Sequence, residues 1–159
     1  MNAVMELFKR HGADEVCPDP AMLIGECRYV VMDTELTGLD VKKDSIVSVG
    51  AVAMEGGRII LGETFYEMVS PETALRSESI VIHGITPSEA RECPGIENAL
   101  PDFLDFCRDS VLVGHVVSLD LRFINSDMRR CYGAALLNPA VDTAALAAYV
   151  RERVRDRSA

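Results

Sequence analysis

The sequence predicts an α/β fold with a mixed five-stranded sheet flanked by helices, and three observations carry that reading. Gly56-Gly57 sits between two apolar runs rich in Val and Ile, which marks a tight hairpin. Three strand-like segments follow one another with short connections through the first half. In the second half, strand-like runs alternate with segments of helical periodicity, the pattern of parallel strands joined by helices.

Each element has its own signal. Val4, Met5, Leu7 and Phe8 fall on one side of a short helix over 2–10, which ends near Gly12. Asp14 to Pro20 is polar with two prolines, so residues 1–20 read as a helix and linker and 21–159 as the main domain. Strands are predicted at 28–35, at 46–54 and from Arg58 to Val69. After Pro94-Gly95, the residues Ile96, Ala99, Leu100, Phe103, Leu104 and Cys107 give a helix one apolar face. Val111 to Val117 reads as a buried strand, and Leu121 to Tyr132 as a helix stopped by Gly133. Pro139 to Val141 makes a short strand. Asp142 then suits the N-cap of a helix from Thr143, and Arg151 to Ala159 reads as a frayed polar end.

At 159 residues, 48% of them apolar and 26% charged, the chain is of ordinary globular composition and long enough for one cored domain. Charged residues break every long apolar run, so no membrane span is expected. The first ten residues lack the features of a signal peptide, and five cysteines show no C-x-x-C pair. Reduced thiols in a cytoplasmic protein follow from both, and a structural zinc site does not. The net charge of −9 argues against a basic groove tracking a long duplex. It leaves open an enzyme that handles one strand end and recruits positive charge as metal ions.

Tyr29-Val30-Val31-Met32-Asp33-Thr34-Glu35-Leu36-Thr37-Gly38 is the most informative stretch. Alternation along a strand puts Asp33 and Glu35 on one face and points Thr34 away. Paired carboxylates at a strand end suit Mg²⁺ or Mn²⁺, and two such ions about 3.5–4 Å apart can clamp an in-line phosphoryl displacement. Two solvated acids would fit the same pair. Asp120 follows the strand at 111–117 and is a third oxygen donor on an adjacent strand end, although an N-cap role would also explain it.

Taken together, the motifs resemble the DEDD 3′–5′ exonucleases of the ribonuclease H-like fold, in the group of the polymerase III proofreading subunit and ribonuclease T. The first motif is Asp33-Thr34-Glu35-Leu36-Thr37-Gly38. A middle signature is Ile82-His83-Gly84-Ile85-Thr86-Pro87, and the second motif runs from Leu112-Val113-Gly114-His115 through Asp120. Asp142-Thr143 is a further landmark. The resemblance covers about 28 to 147 and rests on the order and spacing of the four.

The resemblance implies two divalent ions, Mg²⁺ or Mn²⁺, with Asp33 bridging them, Glu35 on the ion that activates water, and Asp120 serving the second. Leu36, Thr37 and His83 would line the pocket for the terminal nucleotide. Read alone, the same three are a packing residue, a turn residue and a loop histidine satisfied by backbone. His115 reads as a strand-end histidine with a structural hydrogen bond. The implied activity is release of nucleoside 5′-monophosphates from single-stranded DNA or RNA 3′ ends.

Two departures stand out. Where the family usually has His-Asn and Phe-Asp, this chain has His115-Val116 and Leu119-Asp120. No histidine follows His115, so the family's H-x4-D motif, with its general base and fourth carboxylate, is absent, and Tyr149 is followed four residues on by Arg153 rather than aspartate. The expectation is a domain short of its C-terminal helices: a fragment, a naturally shortened relative, or one completed by another chain, including a second copy. Impaired turnover follows, since general-base assistance is typically worth about 10²–10⁴ in rate. The alternative function is an inactive nuclease-fold module that binds nucleic-acid ends or a protein partner.

Overall fold

The computed structural model describes residues 24–156, so the helix and linker expected over 1–20 lie outside the described residues. Five strands form one sheet in the order β3-β2-β1-β4-β5. They are β1 (Arg28–Leu36), β2 (Ile46–Glu55), β3 (Arg58–Met68), β4 (Val111–Gly114) and β5 (Ala140–Asp142). The first three pair antiparallel, while β4 pairs parallel with β1 and β5 parallel with β4. Gly56 and Gly57 join β2 to β3 with φ of 55° and 74°, the left-handed pair that a two-residue hairpin turn needs.

The helices are α1 (Ser77–His83), α2 (Pro87–Arg91), α3 (Ile96–Cys107), α4 (Val117–Tyr132) and α5 (Thr143–Asp156). One face of α3 and one of α4 cover the sheet. Leu100, Phe103, Phe123, Ile124 and Met128 pack with Val30, Met32, Val49 and Leu112 in a single buried cluster. Pro101 lies inside α3 and withholds the backbone donor that would reach the Glu97 carbonyl. The Tyr132 hydroxyl, arriving from α4, donates to that carbonyl instead.

Three boundaries differ from the sequence reading. Val116-Val117 favours strand by composition, yet β4 stops at Gly114 and α4 already begins at Val117. The chain turns at Val116, which is in the left-handed region, and the turn is tight: a Cβ at Gly114 would come within 3.0 Å of the Met32 carbonyl oxygen and of Val117. The region from Arg151, read as a frayed end, stays helical to Asp156. Helices α1 and α2, between β3 and α3, were not anticipated.

Candidate active site

Asp33 and Glu35 lie near the end of β1, and a register shift follows Glu35 where β1 leaves β2. Such bulges re-aim side chains at the rim of a sheet. Asp33, Glu35 and Asp120 line one cleft of about 200 Å³, together with Leu36, His83, His115 and Val116. Leu39, Ile82 and Leu119 add apolar wall, and Ser79 adds a hydroxyl.

Asp120 is not the N-cap of its helix. It is the fourth residue of α4, whose N-cap is Val116, and it is buried at 5% exposure. Its Oδ1 accepts from both Thr34 groups, the backbone N–H at 3.1 Å and the hydroxyl at 2.5 Å. Thr34 does point to the opposite face from Asp33 and Glu35, as alternation requires. Asp120 approaches from that face, so Thr34 is what fixes the third carboxylate. The sequence signal was a threonine on the face of β1 that carries the buried Val30 and Met32.

The carboxylates feel one another. Burial raises the Glu35 pKa, Asp33 adds to the rise, His83 opposes it, and Asp120 adds again. For Asp120, burial is again the largest cause of a raised pKa; the Thr34 hydroxyl counters it and Asp33 reinforces it. Among the described residues no three Asp, Glu, His or Cys side chains are gathered tightly enough to enclose a metal by themselves. The donor set nonetheless fits a hard cation. Three mutually repelling carboxylates open to one cleft lack positive charge, and they offer only oxygen.

His83 is the last residue of α1 rather than a loop residue. Its Nδ1 accepts the Ile85 backbone N–H at 3.0 Å, which assigns the proton of the neutral ring to Nε2. Nε2 is buried and has no partner among the described residues. It is therefore a donor held for something else. His115 has the opposite tautomer. The Thr143 hydroxyl donates to the Gly114 carbonyl at 3.1 Å, so it accepts from His115 Nδ1–H at 3.1 Å, leaving Nε2 as acceptor.

Thr37 does not line the cleft. It is 1% exposed, and its hydroxyl accepts the Ser45 N–H at 2.9 Å and shares a 2.9 Å hydrogen bond with Thr73. It ties down the β1–β2 loop, which matches the turn reading rather than a substrate contact. Asp142 caps α5 as expected, accepting from Ala144 N at 2.9 Å, and also takes the Val116 N–H at 3.1 Å.

The RNase T exonuclease model matches residues 30–159. The chain belongs to the DEDD 3′–5′ exonuclease family. The DNA polymerase III subunit epsilon of Aquifex aeolicus is 38% identical over 119 residues, 75% of this chain and 58% of that protein. A PolC-type DNA polymerase III of Thermotoga maritima is 36% identical over 123 residues, 77% of this chain and 9% of that one. The chain thus spans little more than half of the first relative and a small part of the second. Escherichia coli exonuclease I, solved with single-stranded DNA and zinc, superposes with a TM-score of 0.64 at 18% identity, covering 74% of this chain and 28% of that one. That likeness shows a shared ribonuclease H-like fold. Enzymes of this exonuclease family generally use divalent metal ions.

Proposed function

We propose that residues 21–159 form a metal-dependent 3′–5′ exonuclease domain that binds single-stranded 3′ ends and releases nucleoside 5′-monophosphates. The convergence of Asp33, Glu35 and Asp120 in one cleft with the orphan donor of His83 carries the reading. Relatives named for DNA polymerase III favour DNA over RNA, a cytoplasmic setting and a polymerase assembly as partner.

Asp33, Glu35 and Asp120 would hold Mg²⁺ or Mn²⁺, which when bound supplies the positive charge that activates water and offsets charge on the leaving oxygen. The remaining work falls to the chain. Thr34 keeps Asp120 aimed at the cleft. Leu36, Ile82 and Leu119 offer apolar surface to the terminal nucleotide. His83 Nε2–H donates to a phosphate oxygen and, already protonated there, is not a proton acceptor. His115 Nε2 is the acceptor that lies in the cleft.

A binding module with weak turnover is the second reading. It is favoured by the tautomer of His83, which leaves that ring a donor toward the cleft and not a proton acceptor. The deciding experiment incubates the chain with Mn²⁺ and 5′-labelled single strands. Slow shortening from the 3′ end, lost in Asp33→Ala, supports the enzyme. Shortening that Asp33→Ala leaves unchanged refutes the site.

A further inference from the structure

We propose that a second cleft, walled by the β1–β2 loop on one side and α4 on the other, binds phosphate groups. At about 850 Å³ it is several times larger than the carboxylate cleft, and it lies apart from it. The chain carries a net charge of −9, yet this cleft gathers Lys42, Lys43, Arg122, Arg129 and Arg130.

The acids that line it are already engaged. Asp40 pairs with Lys43 at 3.3 Å and Asp44 with Arg76 at 2.7 Å. Glu72 and Asp127 both pair with Arg130, at 2.8 and 2.6 Å. Among the described residues, Lys42, Arg122 and Arg129 make no ion pair, and all three are exposed. Arg122 and Arg129 sit two helical turns apart on one face of α4, about 10 Å along its axis, with Ser126 between them. Lys42 faces them from the loop. The Ser45 and Thr73 hydroxyls, linked at 3.0 Å, complete the lining.

Guanidinium forks, an ammonium and hydroxyls are the donors that phosphate oxygens take. Their spacing suits more than one phosphate. Two sources share that chemistry. One is the backbone of a single strand. The other is a free nucleotide. The proposal does not depend on turnover at Asp33.

The test uses the whole 159-residue chain in low salt with EDTA, so that metal chemistry is silent. The probes are ATP and a fluorescent oligothymidylate of about twelve residues, within the span that single-strand sites cover. Combined Lys42→Gln, Arg122→Gln and Arg129→Gln should weaken binding at least about tenfold, since each removes a charge-assisted contact. It should also flatten the log–log salt dependence of oligonucleotide binding by about 0.7 per lost phosphate contact. Loss confined to the oligonucleotide identifies a strand backbone; loss of ATP binding as well identifies a free nucleotide. A control removes three cations elsewhere, Arg151, Arg153 and Arg155 to Gln, and should change neither affinity. No binding of either probe, binding retained in the cleft variant, or equal loss in the control would each overturn the proposal.

Discussion

Asp142 Oδ1 accepts the backbone N–H of Val116 at 3.1 Å, tying the end of β5 to the start of α4. Val116 is in the left-handed region, with φ of 58° and ψ of 38°. That conformation crowds a β-branched side chain, and asparagine tolerates it far better. The family usually has asparagine at this place. Val116 is 47% exposed, so its side chain contributes little burial in return. Val116→Asn should therefore stabilise the fold by about 1 kcal/mol in urea unfolding. A loss of stability would mean that the valine side chain packs against something that offsets the strain.

Thr34 and Asp120 form the contact on which the third carboxylate depends. Thr34→Val keeps the shape and the backbone N–H bond but deletes the hydroxyl. The loss should be about 2 kcal/mol, the range for a buried hydrogen bond to a charged group. Thr34→Ser should recover most of it. If the Thr34→Val variant and the parent unfold together, Asp120 is held by something other than this hydroxyl.

The raised pKa values of Glu35 and Asp120 carry a sign that can be checked. A carboxyl with a raised folded-state pKa favours the fold when protonated. Its effect on stability is worst once pH has risen from the ordinary carboxylate value, about 4, through the raised one. In metal-free buffer the difference between Asp120→Asn and the parent should therefore grow in favour of the variant as pH climbs through that window. Mn²⁺ should reverse the order at neutral pH by stabilising only the parent. Thermal unfolding at several pH values reads both. A variant advantage that is largest in acid contradicts the assignment.

How much of this was legible depends on what each element rests on. Strands β1 to β3 follow from alternating apolar residues and the Gly56-Gly57 turn, which are local signals. The end of β4 is not local. Val116-Val117 looks like strand, yet Val116 turns in the left-handed region with its N–H held by Asp142 of β5, 26 residues on. Helices α1 and α2 have seven and five residues, too few to show periodicity. The capping box between Thr86 and Glu89, with Pro87 at the first helical position, was a usable signal for α2. The pairing of Asp33 with Glu35 could be read from β-strand alternation. The burial of Thr37 behind Ser45 and Thr73 could not, because Thr73 comes from the segment after β3, 36 residues away in the chain.

His83 offers a direct spectroscopic test. With Nδ1 accepting from Ile85, the neutral ring should show the Nε2-protonated tautomer in long-range ¹H–¹⁵N spectra. Its buried donor has no partner among the described residues, so a mononucleotide phosphate should take it. His83→Ala should weaken deoxythymidine monophosphate binding about tenfold, the order expected for one charge-assisted bond. The Nδ1-protonated tautomer, or unchanged affinity, would remove His83 from the pocket.

Affinity and rate should separate in this chain. The groups that hold a ligand in the ground state are present: three carboxylates for a cation, the His83 donor and the apolar walls of Leu36 and Ile82. The groups that act mainly in the transition state, a histidine base and a fourth carboxylate on one helix, have no counterpart after His115 in the sequence. Losing transition-state contacts lowers turnover more than binding. The chain should therefore bind deoxythymidine monophosphate in the presence of Mn²⁺, with Asp33→Ala abolishing the binding, while single-turnover hydrolysis of a labelled strand stays slow. His115→Gln should lower whatever hydrolysis remains without changing mononucleotide affinity, because its Nε2 is the acceptor in the cleft. Fast hydrolysis insensitive to His115→Gln would show that another group, from this chain or a second copy, takes the proton.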